Sequence, residues 1–150
     1  MHVLFICRGN VFRSLTAETY LRSLNLPNVT TASCGTNVDA SLPQEREYFN
    51  NTLELLSRHD IRQFAKDHSD ALTQDHIDKS DVVVIANQRA FDEAIQQVDL
   101  PDDTIIWRIV DIGEGERIAT DTNRVELEEL IYSELTHAVD DLVSDLHLKP

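Results

Sequence analysis

The residue types best suited to chemistry lie near the N-terminus, where Cys7 directly follows the apolar run VLFI at residues 3–6. Five residues separate Cys7 from Arg13, and Ser14 comes next. A loop of this length can curl so that its backbone N–H groups form an anion-binding nest at a helix N-terminus. A thiolate at the base of that nest would face a bound phosphorus atom, and the Arg13 guanidinium can contact two phosphate oxygens. The stretch therefore predicts covalent phosphoryl transfer through cysteine.

The other residues of the loop suit the same chemistry. Gly9 permits a backbone turn that a side chain would obstruct, and Asn10 tolerates left-handed geometry and can brace the loop through its amide. Ser14 can hydrogen-bond the thiolate and help it depart, and Arg8 suits the rim, where it adds positive potential. The predicted phosphate-binding residues are Arg8, Gly9, Asn10, Val11, Phe12, Arg13 and Ser14.

Strand-like and helix-like patterns alternate along the whole chain. Continuous apolar runs and β-branched segments predict strands over residues 3–6, 28–33, 81–87 and 104–110. Helices are predicted from a Ser14 cap, from Pro43, over residues 74–78 after a Thr73 cap, through the stripe Phe91, Ala94, Ile95 and Val98, and from Asn123 onward. The polar segment 58–69 is predicted to be mostly loop.

This alternation predicts a single α/β domain over residues 1–150, with a four-stranded parallel sheet and helices on both faces. Ligands of such sheets bind beyond the carboxyl ends of the strands, at a switch in strand order. Cys7 follows the first predicted strand and Asp111 follows the fourth. We therefore expect both side chains at the same edge of the sheet, around the loop that follows the first strand.

The string CRGNVFRS, followed by AETYLRS and later by SCGT, resembles the low molecular weight protein tyrosine phosphatase family. The resemblance extends more weakly through DALTQDHIDKSDVVVIANQ, and it spans most of the chain. It implies that Cys7 attacks phosphorus, that Arg13 stabilises the transferring group and that Asp111 is the general acid. It also implies that Ser33 braces Asn10 and that no metal or cofactor is needed. The implied substrate is a phosphorylated protein or a small aryl phosphate, and the product is inorganic phosphate.

The sequence departs from the family pattern beside the phosphate loop and on the acid side. Phe12 stands where many members have a second cysteine, Leu15 replaces the usual proline, and the acid motif Asp-Pro reads Asp111-Ile112. Aromatic residues that often wall the cleft are missing from TNVDASLP and DIGEGER. Glu114 and Glu116 are therefore kept as alternative acids. In the family that the sequence resembles, a threonine after the loop asparagine accompanies phosphoarginine hydrolysis and a larger aliphatic residue accompanies phosphotyrosine hydrolysis. Val11 has the shape of threonine but lacks its hydroxyl, so the resemblance favours phosphotyrosine as the substrate.

Composition limits the partners and the compartment. The formal net charge of −14 argues against nucleic acid and anionic membranes as partners. Two cysteines do not make a disulfide framework, and the apolar run before Cys7 is too short for the core of a signal peptide. No stretch approaches the length of a membrane span. These features predict a cytoplasmic protein with reduced thiols.

Two other functions stay open at the level of sequence. Arsenate reduction uses the same loop, but it needs further cysteines after the third strand, where this chain reads IANQRAFDEA. A non-catalytic anion-binding or redox-sensing module would explain the missing Asp-Pro motif and aromatic walls. Cys34 is expected to be a buried small apolar residue, with a reversible Cys7–Cys34 disulfide as the alternative. The scattered histidines at 59, 68 and 76 show no metal-ligand spacing.

Overall fold

The computed structural model describes residues 1–39 and 41–147. Its strands are β1 (His2–Cys7), β2 (Thr30–Gly35), β3 (Val82–Ile85) and β4 (Ile105–Ile106). Its helices are α1 (Arg13–Ser23), α2 (Pro43–Arg58), α3 (Gln74–Asp78), α4 (Gln88–Ala94) and α5 (Arg124–Asp145), with a 3₁₀ turn over Arg62–Phe64. The strands form one parallel sheet in the order β2-β1-β3-β4, as the alternating pattern predicts.

Strand β1 lies at the centre of the sheet because its side chains are apolar on both faces. Leu4 and Ile6 pack on one face with Cys34, Leu72 and α4. Val3 and Phe5 pack on the opposite face against α1 and α5. Residues Val3 to Ile6 are at most 1% exposed, as expected of a central parallel strand. The central position of β1 places Cys7 in the middle of the carboxyl edge of the sheet.

The outer strands differ from their predicted bounds. β2 begins two residues later than predicted because Asn28 adopts a left-handed backbone (φ 61°) that a strand cannot contain. β4 covers only Ile105–Ile106 of the predicted 104–110. Beyond it, the chain keeps single backbone bonds, from Trp107 N–H to the Ile85 carbonyl (2.8 Å) and from Ile109 N–H to the Ala86 carbonyl (3.0 Å). These bonds still guide the chain along the sheet edge to Asp111.

Three helix predictions need correction. α1 begins at Arg13 with Phe12 as its N-cap residue, so Ser14 lies inside the first turn and does not cap the helix. Ile95 follows the last residue of α4 and is 51% exposed, so it is not part of the buried stripe. The segment predicted to be mostly loop starts inside α2 and contains the 3₁₀ turn. In the part of the chain that the structure describes, no helix is long and apolar enough to cross a membrane.

Candidate active site

The phosphate loop, residues 7–14, places a thiol at its base. Cys7 is 3% exposed, and its Sγ accepts a hydrogen bond from the Asn10 backbone N–H (3.3 Å) and lies 3.0 Å from Ser14 Oγ. Asn10 has the left-handed backbone (φ 53°) that the sequence predicts. This conformation turns the Asn10 N–H toward the sulfur. Both contacts can stabilise a thiolate because each can supply a donor to it.

The Asn10 side chain holds the loop through four hydrogen bonds. Its Nδ2 donates to Ser14 Oγ and to Ser33 Oγ, both at 2.8 Å. Its Oδ1 accepts from Lys66 Nζ (2.7 Å) and from the Asp70 backbone N–H (2.8 Å). The amide group therefore uses both of its donors, and its oxygen binds two donors. The structure places Ser33 in contact with Asn10, where the resemblance implies it.

Sequence reasoning gave no role to the segment that supplies half of these contacts. Lys66 Nζ also donates to the Ser33 carbonyl (2.7 Å) and to Asp70 Oδ2 (2.9 Å). Ser69 Oγ donates to the Asn10 carbonyl (2.9 Å). On α1, Glu18 Oε1 accepts from Ser33 Oγ (2.7 Å). The only signal in the sequence was a polar stretch that fits neither helix nor strand, which gives no partner for any of its residues.

Arg13 is buried beside the loop and is not a surface cation, since it is only 1% exposed. Its Nη1 donates to the Ile109 carbonyl (2.9 Å), which fixes the guanidinium. The Asp111 Oδ2 atom lies 3.4 Å from Arg13 Nε, and the Glu114 Oε1 atom lies 3.6 Å from Nη1. Arg13 Nε makes no hydrogen bond within residues 1–39 and 41–147. A buried donor of this kind has unused capacity for an anion.

Backbone donors of the loop are free in the same way. Among the described residues, the N–H groups of Gly9, Val11 and Phe12 donate to no backbone or side-chain acceptor. The first N–H groups of α1 also lack an acceptor within their helix. Together with Arg13, these groups make a positive site that suits a phosphate, as expected at a helix N-terminus.

Asp111 lies across the cleft from the loop, at the end of the chain segment that follows β4. Its Oδ1 accepts from the Ile112 N–H (2.8 Å), and its own N–H donates to Glu114 Oε1 (3.2 Å). Burial raises the pKa of the Asp111 carboxyl, and the nearby Arg13 guanidinium opposes that rise. A carboxyl group with a raised pKa keeps its proton to higher pH, which suits a general acid.

The alternative acids have different positions. Glu114 lines the cleft, but its carboxylate contacts the Asp111 N–H and lies 3.4 Å from Arg89 Nη1. Glu116 is exposed and lines neither the cleft nor the cavity beside it. Asp111 is therefore the acid with the shortest contact to Arg13, and Glu114 orients the loop that carries it.

The walls of the cleft are built from more elements than the sequence indicates. Tyr48 on α2 lines the cleft with Val11. An aromatic wall of the cleft therefore comes from a helix, and not from the segments TNVDASLP and DIGEGER. Phe12 is 8% exposed and packs with Leu55 and Leu56, so only its backbone can contact phosphate. Arg8 lies on the rim, where its Nε donates to Glu93 (2.6 Å).

The end of β2 approaches the phosphate loop closely at Gly35. A Cβ atom added there would lie 2.4 Å from the Arg8 carbonyl oxygen and 3.0 Å from the Asn10 nitrogen. The Thr36 N–H donates to the Cys7 carbonyl (3.0 Å), and the Asn37 N–H donates to the Arg8 carbonyl (2.8 Å). Only glycine allows the two backbones to approach this closely.

Cys34 faces away from the thiol of Cys7. It pairs with Ile6 in the sheet and packs with Leu4 and Ile6 in the core on the α4 side. The Cys7 sulfur instead contacts Ser14 of α1, which packs on the other face. Burial raises the pKa of the Cys34 thiol well above its usual range. This placement agrees with the expected buried apolar role, and both cysteines are free.

Candidate metal ligands are scattered. Within the described ranges, no three His, Cys, Asp or Glu side chains are grouped so that they could hold a metal ion. His59 stacks on Tyr132 with ring centroids 3.8 Å apart, and its Nε2 lies 2.6 Å from Glu129 Oε2. His59 therefore joins α2 to α5.

A family model for the low molecular weight phosphotyrosine protein phosphatases matches residues 2–112, which include Cys7, Arg13, Ser33 and Asp111. The chain belongs to this family. Its fold and its class, a phosphatase with a cysteine nucleophile, are those that the sequence predicts. Members of this family act on phosphorylated substrates and release phosphate. A comparison with curated proteins finds no significant match.

Solved structures of several activities share the fold of this phosphatase. The low molecular weight protein tyrosine phosphatase from T. tengcongensis matches with a TM-score of 0.72 and 22% identity, over 97% of this chain and 99% of that one. The YwlE arginine phosphatase from Geobacillus stearothermophilus matches with a TM-score of 0.65 and 22% identity, over 97% of this chain and 92% of that one. A thioredoxin-dependent arsenate reductase from Corynebacterium glutamicum matches with a TM-score of 0.68 and 23% identity, over 98% of this chain and 62% of that one. Because these activities differ, the shared fold alone does not select one of them.

Proposed function

We propose that this chain hydrolyses phosphotyrosine-type phosphomonoesters, with Cys7 as the nucleophile, Arg13 and the loop amides as the phosphate site and Asp111 as the general acid. The observation that supports this assignment best is that one short loop carries a thiol together with several unused donors. The Cys7 sulfur, the unused Nε of buried Arg13 and the free N–H groups of the loop all belong to residues 7–13. A bound phosphate dianion would satisfy these donors.

The first step transfers the phosphoryl group to the enzyme. The Cys7 thiolate attacks phosphorus, so that an S–P bond forms while the P–O bond to tyrosine breaks. Asp111 gives its proton to the departing oxygen, and the product leaves as a neutral phenol. Arg13 and the loop N–H groups bind the three equatorial oxygens, where negative charge is concentrated in the transition state.

The second step restores the enzyme. The Asp111 carboxylate takes a proton from a water molecule, and the oxygen of that water attacks phosphorus. The S–P bond breaks, inorganic phosphate is released, and Ser14 Oγ, 3.0 Å from the sulfur, stabilises the departing thiolate. Residues of this chain carry every proton in the cycle. The prediction of cytoplasmic location stays part of this proposal, supported by two free buried thiols.

The arsenate-reductase alternative is less well supported by this chain. A reductase of that kind collects the oxidised state in a disulfide, and the two cysteines here lie on opposite faces of the sheet. A non-catalytic anion-binding module needs no general acid. In this chain Asp111 lies 3.4 Å from Arg13, and burial raises the pKa of its carboxyl, as a general acid requires. Both observations favour a phosphatase that turns over.

Trapping the intermediate tests the proposal directly. Wild-type protein mixed with nitrophenyl phosphate and quenched in milliseconds should carry one added phosphoryl group, which peptide mapping locates at Cys7. Iodoacetate should alkylate Cys7 rapidly at pH 6, and phosphate should protect it. A Cys7→Ser variant should lose about 10⁶-fold in turnover.

Cys34→Ser is the matched control, because the Cys34 side chain packs in the core on the other face of the sheet from the Cys7 thiol. This variant should still accumulate the phosphorylated enzyme, and phosphate should still protect its Cys7 from alkylation. If Cys7 reacts only at the rate of an ordinary thiol, or if Cys7→Ser keeps its activity, the assignment of the nucleophile is wrong.

A further inference from the structure

An apolar cavity of about 330 Å³ adjoins the catalytic cleft and takes no part in the mechanism above. It lies between the phosphate loop, α2, the loop after Asp111 and the start of α5. Phe12, Asn51, Ile118 and Ala119 line this cavity and do not line the cleft. The cavity is therefore a second space beside the phosphate site, which we call the side cavity.

The side cavity is continuous with the cleft. Five residues line both spaces: Val11, Tyr48, Asp111, Ile112 and Gly113. Val11 belongs to the phosphate loop and Asp111 is the proposed acid. A substrate held with its phosphate on the loop therefore passes these shared walls, and its neighbouring groups lie next to the side cavity.

The lining indicates an uncharged occupant. Ile118 is 60% exposed and Tyr48 is 43% exposed, so large apolar side chains surround an open concavity. Exposed apolar surface around a concave site is typical of a binding surface. Of the three charged residues in the lining, Asp111 is the proposed acid shared with the cleft, and the other two neutralise each other, because Arg124 Nη1 donates to Glu128 Oε2 at 2.9 Å. Glu128 Oε1 also lies 3.5 Å from Arg58 Nη2.

We propose that the side cavity is a substrate subsite that takes a large apolar side chain flanking the phosphotyrosine. The inference rests on the proposed function, since it assumes that the phosphate of a peptide binds at Cys7. The volume of the side cavity lies at the lower end of the range for ligand pockets, which begins at about 300 Å³. Neighbouring residues of an extended peptide are only about 3.5 Å apart along the chain, which lets a flanking side chain reach an adjoining cavity. The enzyme thus distinguishes peptides by an apolar neighbour of the phosphotyrosine.

Peptide kinetics test the subsite. A phosphotyrosine peptide with alanine at the two positions on each side is compared with four peptides that carry one leucine instead. We expect one leucine position to raise kcat/KM by about tenfold, the smallest factor typical of added apolar groups in a fitted pocket. The ratio of the leucine peptide to the alanine peptide is the measured quantity, so changes in overall activity cancel.

A filled cavity provides the matched comparison. Asn51 lies on α2 and lines the side cavity, whereas its exposed neighbour Asn50 does not. Asn51→Phe should reduce the leucine advantage to about twofold or less, and Asn50→Phe should keep it near tenfold. Thermal unfolding of both variants establishes that they are folded.

Two results would overturn the subsite. Either no leucine position improves the wild-type rate, or the advantage survives in Asn51→Phe. In both cases, hydrolysis of nitrophenyl phosphate by the wild type would leave the proposed function standing. Loss of that hydrolysis together with all peptide activity would instead contradict the proposed function itself.

Discussion

The phosphate loop and the loop after Asp111 line the same cleft, but the structure holds them in different ways. Asn10, Arg13 and Ser14 of the first loop are at most 2% exposed. Gly113 and Gly115 of the second loop have positive φ angles, and Ile118 is 60% exposed. The second loop is held by ion pairs at two places, where Arg117 pairs with Glu134 (2.6 Å) on α5 and where Glu114 lies 3.4 Å from Arg89 Nη1.

This difference separates the chemistry from the fit of the substrate. The phosphate loop allows little change, because the Asn10 side chain is held by four hydrogen bonds and Arg13 and Ser14 are buried. The acid loop has open space around it, and one of the departures from the family pattern, Ile112 after the acid, lies there. Packing therefore fixes the geometry of the phosphate loop, while the loop on the leaving-group side has room to adjust to the substrate.

Replacing Asp111, the proposed acid, should lower turnover more than the substitutions that follow. Asp111→Asn should lower turnover of phosphotyrosine by about 10²–10⁴-fold, because tyrosine needs a proton to leave. The loss should be smaller for nitrophenyl phosphate, whose leaving group is stable without a proton. Steady-state kinetics on both substrates measure the difference. Iodoacetate reaction at Cys7 should not slow, since the phosphate loop is intact.

Glu116→Gln is the control, because Glu116 is exposed and lies outside the cleft. Equal losses on the two substrates in Asp111→Asn would indicate a defect in binding or folding. A negligible loss would transfer the acid role to Glu114, whose carboxylate lies 3.6 Å from Arg13.

The dependence of phosphotyrosine turnover on pH should follow the protonation of Asp111. In the proposed mechanism the protonated Asp111 is the active form, so we expect turnover of phosphotyrosine to fall as pH rises through its pKa. Because burial raises that pKa, the fall should occur at higher pH than the value of about 3.9 for a free aspartic acid. Rates measured from pH 4 to 8 should show this limb in the wild type and lack it in Asp111→Asn.

A methyl group at Gly35 should disturb the constrained side next most strongly. The new Cβ would lie 2.4 Å from the Arg8 carbonyl oxygen, so the loop backbone must move. Displacements near 1 Å at a reacting centre cost about 10²-fold. We therefore expect Gly35→Ala to lose about 10²-fold or more on both phosphotyrosine and nitrophenyl phosphate.

Gly113→Ala gives the contrast on the open side. A Cβ at Gly113 meets nothing within 4 Å, although its φ of +87° strains an alanine. Strain of this kind costs about 1–3 kcal/mol in local stability. Turnover should fall only a few-fold, because the loop has room to relax. A loss in Gly113→Ala as large as that in Gly35→Ala would remove the distinction between the two loops.

The same distinction explains what the sequence could predict. The loop from Cys7 to Ser14 was readable because its turn, nucleophile and cation lie within eight residues. β1 and β3 were readable because strands covered on both faces are continuous apolar runs. Ser14 was misassigned as a cap because α1 begins two residues earlier than a Ser14 cap predicts, and the Ser14 hydroxyl lies 3.0 Å from the Cys7 sulfur.

Contacts between distant segments were not readable. Lys66 and Asp70 reach Asn10 from 56 and 60 residues away, and no local pattern marks them. Tyr48 was missed for the same reason, because its place in the cleft depends on how α2 packs. β4 was overestimated because it lies at the sheet edge, where only a few backbone bonds form.

The last prediction concerns Lys66, which links the missed segment to the phosphate loop. Its Nζ fixes Asn10 Oδ1, and the Asn10 backbone N–H in turn contacts the Cys7 sulfur. Lys66→Met removes one of the four bonds to the Asn10 amide and the ion pair between Lys66 and Asp70. We expect kcat to fall about tenfold and the free energy of unfolding to fall by about 1–3 kcal/mol, as for other lost partners of buried polar groups.

Alkylation of Cys7 separates positioning from simple destabilisation. If Lys66 acts through Asn10, Lys66→Met should slow the reaction of Cys7 with iodoacetate at pH 6, at a temperature where the variant is fully folded. Lys79→Met is the control, because Lys79 makes an exposed ion pair with Asp75 on α3 and lies away from the site. Equal alkylation rates in Lys66→Met and wild type, with lowered stability, would show that Lys66 only supports the fold. A slower rate that Lys79→Met does not share would extend the constrained region to the 3₁₀ segment, because the thiolate then depends on a residue 59 positions beyond Cys7.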